Sequence, residues 1–260
     1  MAPTVLDEFA LSGERGIDVF RRVEDEKHRR HRYECLATII PDSDEVRCFA
    51  PYARKFPERM HAAARDYLES RFLAQRMAFG DPSTYPDAGV SERPIELFLY
   101  LDFFRAWQVG EQEIARVERA LQQGTSLRPP EVSGVLRLLL DFNRLTRAAP
   151  IINALWPMLN EAASLGAEDQ WQNTGFALRM LGDLQRRSGR PERALAAYEL
   201  SLALGVNAHR CGLAIEAAQE AGNSDAVKRH LATYEERWPL PEHLAQIKAG
   251  SAVTSIGGSS

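Results

Sequence analysis

The feature that most constrains this chain is its punctuation. From residue 95 onward, short apolar stripes alternate with single glycines, and two of the stripes open on a proline. A glycine just past a stripe supplies the left-handed residue that ends a helix. A proline just inside one gives up an N–H that has no intrahelical partner in any case. Read this way, helices run over 95–109, 111–123, 130–145, 151–165, 168–188, 191–204, 207–221 and 224–237. Helices of this length cannot bury an apolar stripe alone, so consecutive ones are expected to pack as antiparallel pairs. The fold class that follows is all-α, built from stacked antiparallel helix pairs.

The first third is less regular. Residues 6–32 are helix-compatible apart from a break at Ser12-Gly13, with Ile17, Phe20 and Val23 as an apolar stripe. Residues 33–50 read as a helix end followed by a loop, with a short N-terminal hairpin as the alternative, since Pro41-Asp42-Ser43-Asp44 is a turn signal. A helix over 57–79 opens on Pro57, and residues 80–94, rich in glycine, proline and acid, are the natural linker. The expected organisation is a mainly helical module at 1–80, a linker at 81–94, a helical-repeat domain at 95–249 and a flexible tail at 250–260.

Composition narrows the function. With 45% hydrophobic and 26% charged residues, the chain is neither collagen-like nor disordered throughout. A formal charge of −4 argues against a nucleic-acid partner, and no apolar run is long enough for membrane insertion. There is no basic segment followed by an apolar one at the start, and three cysteines are not a disulfide framework, so the expected location is cytoplasmic. Arginine outnumbers lysine 28 to 4, a bacterial-like, GC-biased usage that carries no chemistry by itself.

The clearest repeat runs from Gly175 to Val206. Leu181-Gly182 is followed by Gly189, Ala194 and Tyr198. Gly182 allows a neighbouring helix to approach closely, Gly189 ends the first helix, Ala194 sits at the tightest contact, and Tyr198 fills the space between pairs. A second copy lies 33 residues on, where Gly222 matches Gly189, Leu231 matches Tyr198, Val227 stands for Ala194 and Ile215 for Gly182. These positions resemble the tetratricopeptide repeat. Two departures stand out: Gln185 occupies the family's usual tyrosine position, and the terminal proline is missing near Val206. The likeness covers Gly175–Arg237 by residue and Pro94–Gly166 as architecture only. It implies a right-handed α-solenoid whose first helices line a concave groove for an extended peptide or a partner helix. Carried over position by position, the groove bears Phe176, Arg179, Met180, Asp183, Arg186 and Arg187, and then His209, Leu213 and Glu216. Arg179 and Arg186 would grip a carboxylate, so an acidic partner is expected.

Catalytic signals are weak. No nucleophile elbow, zinc-protease helix, P-loop or dinucleotide fingerprint occurs. Glu24, His28, His31, Cys35 and Cys48 include four nitrogen and sulfur ligands of the kind zinc or iron accepts, and on a helix His28 and His31 would share a face. Their spacing fits no zinc pattern, and a solvated charged face is the plainer reading. Cys48, near Arg47 and Arg54, is a candidate for a lowered thiol pKa, against the ordinary role of a small buried side chain. Asp66 and Glu69 form one more candidate carboxylate pair.

These readings converge on a non-catalytic scaffold, adaptor or chaperone-like assembly factor with no cofactor expected. The alternative is an enzyme or metal-dependent accessory protein whose N-terminal module acts on a substrate delivered by the repeats. A third reading is a homo-oligomer joined through Trp107, Trp156 and Trp238 at the ends of the stack.

Overall fold

The computed structural model describes residues 8–25, 30–40, 43, 45–67, 94–165 and 171–256. The expected linker over 81–93, the Glu69 carboxylate, His28 and the last four residues of the tail lie outside the described residues. The chain is mostly helical and carries one four-stranded antiparallel sheet. It divides into two compact units, Met1–Arg116 with Leu140–Arg144, and Val117–Leu139 with Leu145–Ser260.

The first unit is organised by the sheet. Strands β1 (Glu8–Ser12), β2 (Ile17–Asp25), β3 (Arg30–Ile40) and β4 (Glu45–Cys48) form a meander in sequence order. The helix expected over 6–32 is therefore replaced by strands, and for residues 33–50 the hairpin is correct rather than a helix end and loop. Both faces of this sheet are covered. Ala10, Ile17, Val19 and Ile39 pack with Ala50, Ala53, Met60 and Ala64, which belong to or adjoin α1 (Pro51–Lys55) and α2 (57–67). On the other face, Phe9, Phe20 and Tyr33 surround Phe103 of α3 (Pro94–Gln122), with ring centroids 4.9–5.1 Å from it. Phe142 completes this aromatic cluster at 5.7 Å. A sheet buried on both faces shows no apolar–polar alternation, which is why the period-two signal is absent from the sequence.

Gly110 does not end a helix. It lies inside α3, outside the left-handed region, and continues the buried face formed by Phe103, Ile114 and Val117. Glycine is tolerated there because packing outweighs its helix penalty of about 1 kcal/mol.

The second unit contains the C-terminal part of α3, most of α4 (Pro129–Asp141), and then α5 (Leu145–Leu165), α6 (Trp171–Arg187), α7 (Pro191–Ala203), α8 (Ala208–Glu220), α9 (Ser224–Glu235) and α10 (Glu242–Ile256). Helix α5 begins before Pro150 rather than after it. Both of its internal prolines are exposed, so water can satisfy the carbonyls they release. From α6 to α9 each helix packs on the next, and α10 packs on α8 and α9. Helix α4 stops at Asp141 rather than running on to 145, whereas the expected ends of α7, α8 and α9 agree closely with those observed because the caps are local. Gly189 and Gly222 take φ of 73° and 68°, Pro191 opens α7, and the Asn207 and Asn223 side chains accept from the N–H groups of Arg210 and Ala226 at 2.9 and 3.0 Å. Helix α10 runs on to Ile256, into the stretch expected to be a tail.

Candidate functional site

The groove residues sit on α6 and α8. Gly182 and Tyr198 define the packing beneath them. A Cβ built on Gly182 would stand 2.4 Å from Tyr198 Cε1, so only glycine leaves room for the ring. Tyr198 is fully buried, and its hydroxyl donates to Asp183 Oδ1 at 2.7 Å. Burial and the neighbouring carboxylate push the phenol well above its ordinary pKa.

At one end of this surface Arg186 spans from α6 to α8. Its guanidinium donates to Glu216 at 2.5 Å and to Glu220 at 2.5–2.9 Å. Desolvation works against the charge, but the two carboxylates outweigh it and hold the pKa above the ordinary arginine value. Glu216 also lies 3.6 Å from His243. Arg186 is thus a strut between helices, already neutralised, and not the open anion grip expected from its position.

The other end is different. Arg179 donates to Asp183 Oδ2 at 2.5 Å and lies over the Phe176 ring at 4.9 Å, with Arg137 over the same ring at 5.6 Å. Arg210 donates to the carbonyls of Ser201 and Gly205 at 3.1 and 3.2 Å. Gly175 leaves it space, because a Cβ there would meet Arg210 Nη1 at 2.9 Å. His209 and Arg210 both have lowered pKa values, first from desolvation and then from the Arg179 guanidinium. Three basic groups therefore crowd one corner of the surface.

Several expected groove residues stand elsewhere. Met180 is fully buried in the helical core, because α6 turns that side of the stripe inward. Leu213 is half-buried against the α7–α10 cluster, and Arg187 is half-buried on α6. Arg210 and Glu220 were not anticipated, although Arg210 directly follows the expected His209.

The N-terminal ligand set does not assemble as expected. His31 is in β3 opposite Glu24, not on a helix. The register shift beside Leu36 pairs Cys35 with Phe20, whereas Cys48 pairs with Ala37 and packs into the alanine- and isoleucine-rich core. The two thiols lie on opposite faces of the sheet and cannot meet at one ion while it stands. Among the described residues, no three His, Cys, Asp or Glu side chains gather as metal ligands. Desolvation raises the Cys48 pKa and prevails over Arg54, so the expected activation is reversed. No expected tryptophan is fully exposed: Trp107 lies under Arg144 at 5.6 Å, Trp238 against Tyr234 at 5.3 Å, and Trp156 is half-buried.

The first unit holds a polar cluster that the sequence did not announce. Asp18 Oδ1 accepts from Thr38 Oγ1 at 2.5 Å and from Asn143 Nδ2 at 3.0 Å, and all three residues are buried. Asn143 takes φ of 51°, so its side chain fixes a left-handed turn.

No protein-family model, curated protein or solved structure matches the chain. Among the described residues, no helix is long and apolar enough to cross a membrane.

Proposed function

We propose that the α6–α8 surface is the binding face of a protein-interaction scaffold, and that α6–α9 form two tetratricopeptide-like helix pairs of a short right-handed solenoid. On this reading the protein is an adaptor or chaperone-like assembly factor that holds an extended segment of another protein. The observation that carries it is the Arg179–His209–Arg210 corner. There desolvation and the Arg179 guanidinium lower the proton affinity of His209 and Arg210, and the opposing carboxylates are Asp183, which Arg179 already engages, and Glu216, which Arg186 already engages. An incoming carboxylate relieves this repulsion and gains charge-assisted hydrogen bonds. Rigid helices keep the cost of ordering low on the receptor side. The preferred partner is an extended peptide with an acidic residue or a free C-terminus at this corner, flanked by apolar side chains against Phe176.

The test is a library of extended peptides, acidic, neutral and basic, measured by fluorescence anisotropy on the full chain and on Arg179→Glu. Acidic members should bind best and lose affinity by about tenfold or more in the variant, the loss expected for a charged hydrogen bond. Equal binding of acidic and neutral peptides, or an affinity indifferent to Arg179→Glu at unchanged helical content, would sink this reading.

A further inference from the structure

Helix α5 turns an apolar face to solvent. Pro150, Ala154, Pro157, Met158 and Leu165 are exposed along it, Met158 at 36% and Leu165 at 72%. In a chain with 26% charged residues, Glu161 is the only charge among the exposed positions of this helix. Contiguous apolar surface of this kind marks a contact site. The scarcity of charge also bears on the occupant. A strongly acidic or basic partner finds almost no counter-charge here, whereas a second copy of the same face meets little repulsion.

The face is also complementary to itself. Asn153 and Asn160, two turns apart, share one flank, and Ala154 and Met158, one turn apart, share the other. Pro157 has no N–H to return to the Asn153 carbonyl, so that acceptor is released from the helix ladder. With two such helices antiparallel, a two-fold axis beside Trp156 and Pro157 exchanges Asn153 with Asn160, and Ala154 with Met158, to within a single residue. We propose that α5 is a homodimer contact, in which two copies of the chain pair antiparallel about this axis. The Asn160 amide of each copy donates to the released Asn153 carbonyl of the other, and each Met158 lies over the small Ala154. The two Glu161 carboxylates then stand about 14 Å apart along the helices, beyond the screening length of about 8–10 Å, whereas parallel pairing sets them side by side. Helix α5 has 21 residues and is about 31 Å long, so the paired faces bury on the order of 1,000 Å² in all. That area is at the low end for a specific interface, and the dimer is reversible, with a dissociation constant of about 10 µM. None of these contacts uses the α6–α8 surface, so the dimer does not depend on what that surface binds.

The test is sedimentation equilibrium of the full chain from about 1 to 200 µM. The mean mass should climb from 29.2 kDa toward twice that value and stop there, because an isologous contact closes. Ala154→Glu sets two carboxylates about 6 Å apart along the paired helices, and Ala154→Lys does the same with two ammonium groups. The position is exposed, so neither variant should alter the helical circular dichroism, and each alone should associate at least about tenfold more weakly. An equimolar mixture of the two should recover the affinity of the parent or exceed it, since opposite charges then meet at the same place. That recovery separates a contact at α5 from one elsewhere on the molecule. A mass of 29.2 kDa at every concentration overturns the proposal. So does growth beyond the dimer, association that survives either single variant, or a mixture no tighter than its components.

Discussion

Replacing Gly182 with alanine tests whether the α6–α7 contact depends on the absence of a single methyl group. The new Cβ would sit 2.4, 2.7 and 2.9 Å from Tyr198 Cε1, Cδ1 and Cζ. Ordinary carbon contacts are about 3.5–4.0 Å, so the ring must retreat by about 1 Å from a site where it is fully buried. Overpacking of this kind costs about 1–3 kcal/mol. Moving the ring also strains the 2.7 Å bond from the Tyr198 hydroxyl to Asp183, a charged hydrogen bond worth about 1.5–3 kcal/mol. Against these, alanine gains about 1 kcal/mol over glycine in a helix interior. The expected net loss is about 2–4 kcal/mol, or a fall of about 1–2 M in the urea midpoint read by far-ultraviolet circular dichroism. In a Tyr198→Leu background the ring is gone, and Gly182→Ala should then be neutral or stabilising by up to about 1 kcal/mol. A Gly182→Ala protein within about 0.5 kcal/mol of the parent, or an equal loss in both backgrounds, would refute the reasoning.

His209 and Asn143 give three further expected outcomes. His209 has a lowered folded pKa, while the unfolded chain protonates near the ordinary value of about 6.5. The unfolded state therefore binds the extra proton first as pH falls. The stability His209 contributes is whole above about 6.5 and declines as pH drops toward its folded pKa. Urea midpoints between pH 7.5 and 5.5 should fall more in the parent than in His209→Gln, and Arg179→Gln should move the His209 imidazole titration upward, both about in the range where histidine changes charge. At Asn143, alanine loses the bonds to Asp18 and Thr38 and pays for φ of 51°, whereas glycine loses only the bonds. Asn143→Ala should thus be less stable than Asn143→Gly by about 1–2 kcal/mol in thermal or urea unfolding, and equal stabilities would count against the turn-fixing role.

What the sequence revealed depended on whether the responsible interaction was local. The ends of α7, α8 and α9 were legible because each is written within a few residues, as Pro191 after Gly189, Asn207 before α8, and Gly222 with Asn223 before α9. The strands were not legible. Ile17-Asp18-Val19-Phe20 is buried residue after residue, and the charged ends of β2 and β3 read like the polar face of a helix. Only the pairing of one strand with another reveals them, and that pairing is a property of tertiary structure. The candidate site divides in the same way. Position in the repeat identified the α6 face that carries both Arg179 and Arg186, because helical spacing is local. It could not separate them, since the acids that neutralise Arg186 come from 30 and 34 residues away. Gln185 was visible as a departure from the repeat, but its burial with an unpaired Oε1 is a result of tertiary packing that no local pattern records. In a protein of stacked helices the local code therefore sets which residues share a surface. The contacts between turns decide which of those residues remain available to a ligand, and the charge count on any one helix is a poor guide to what it binds.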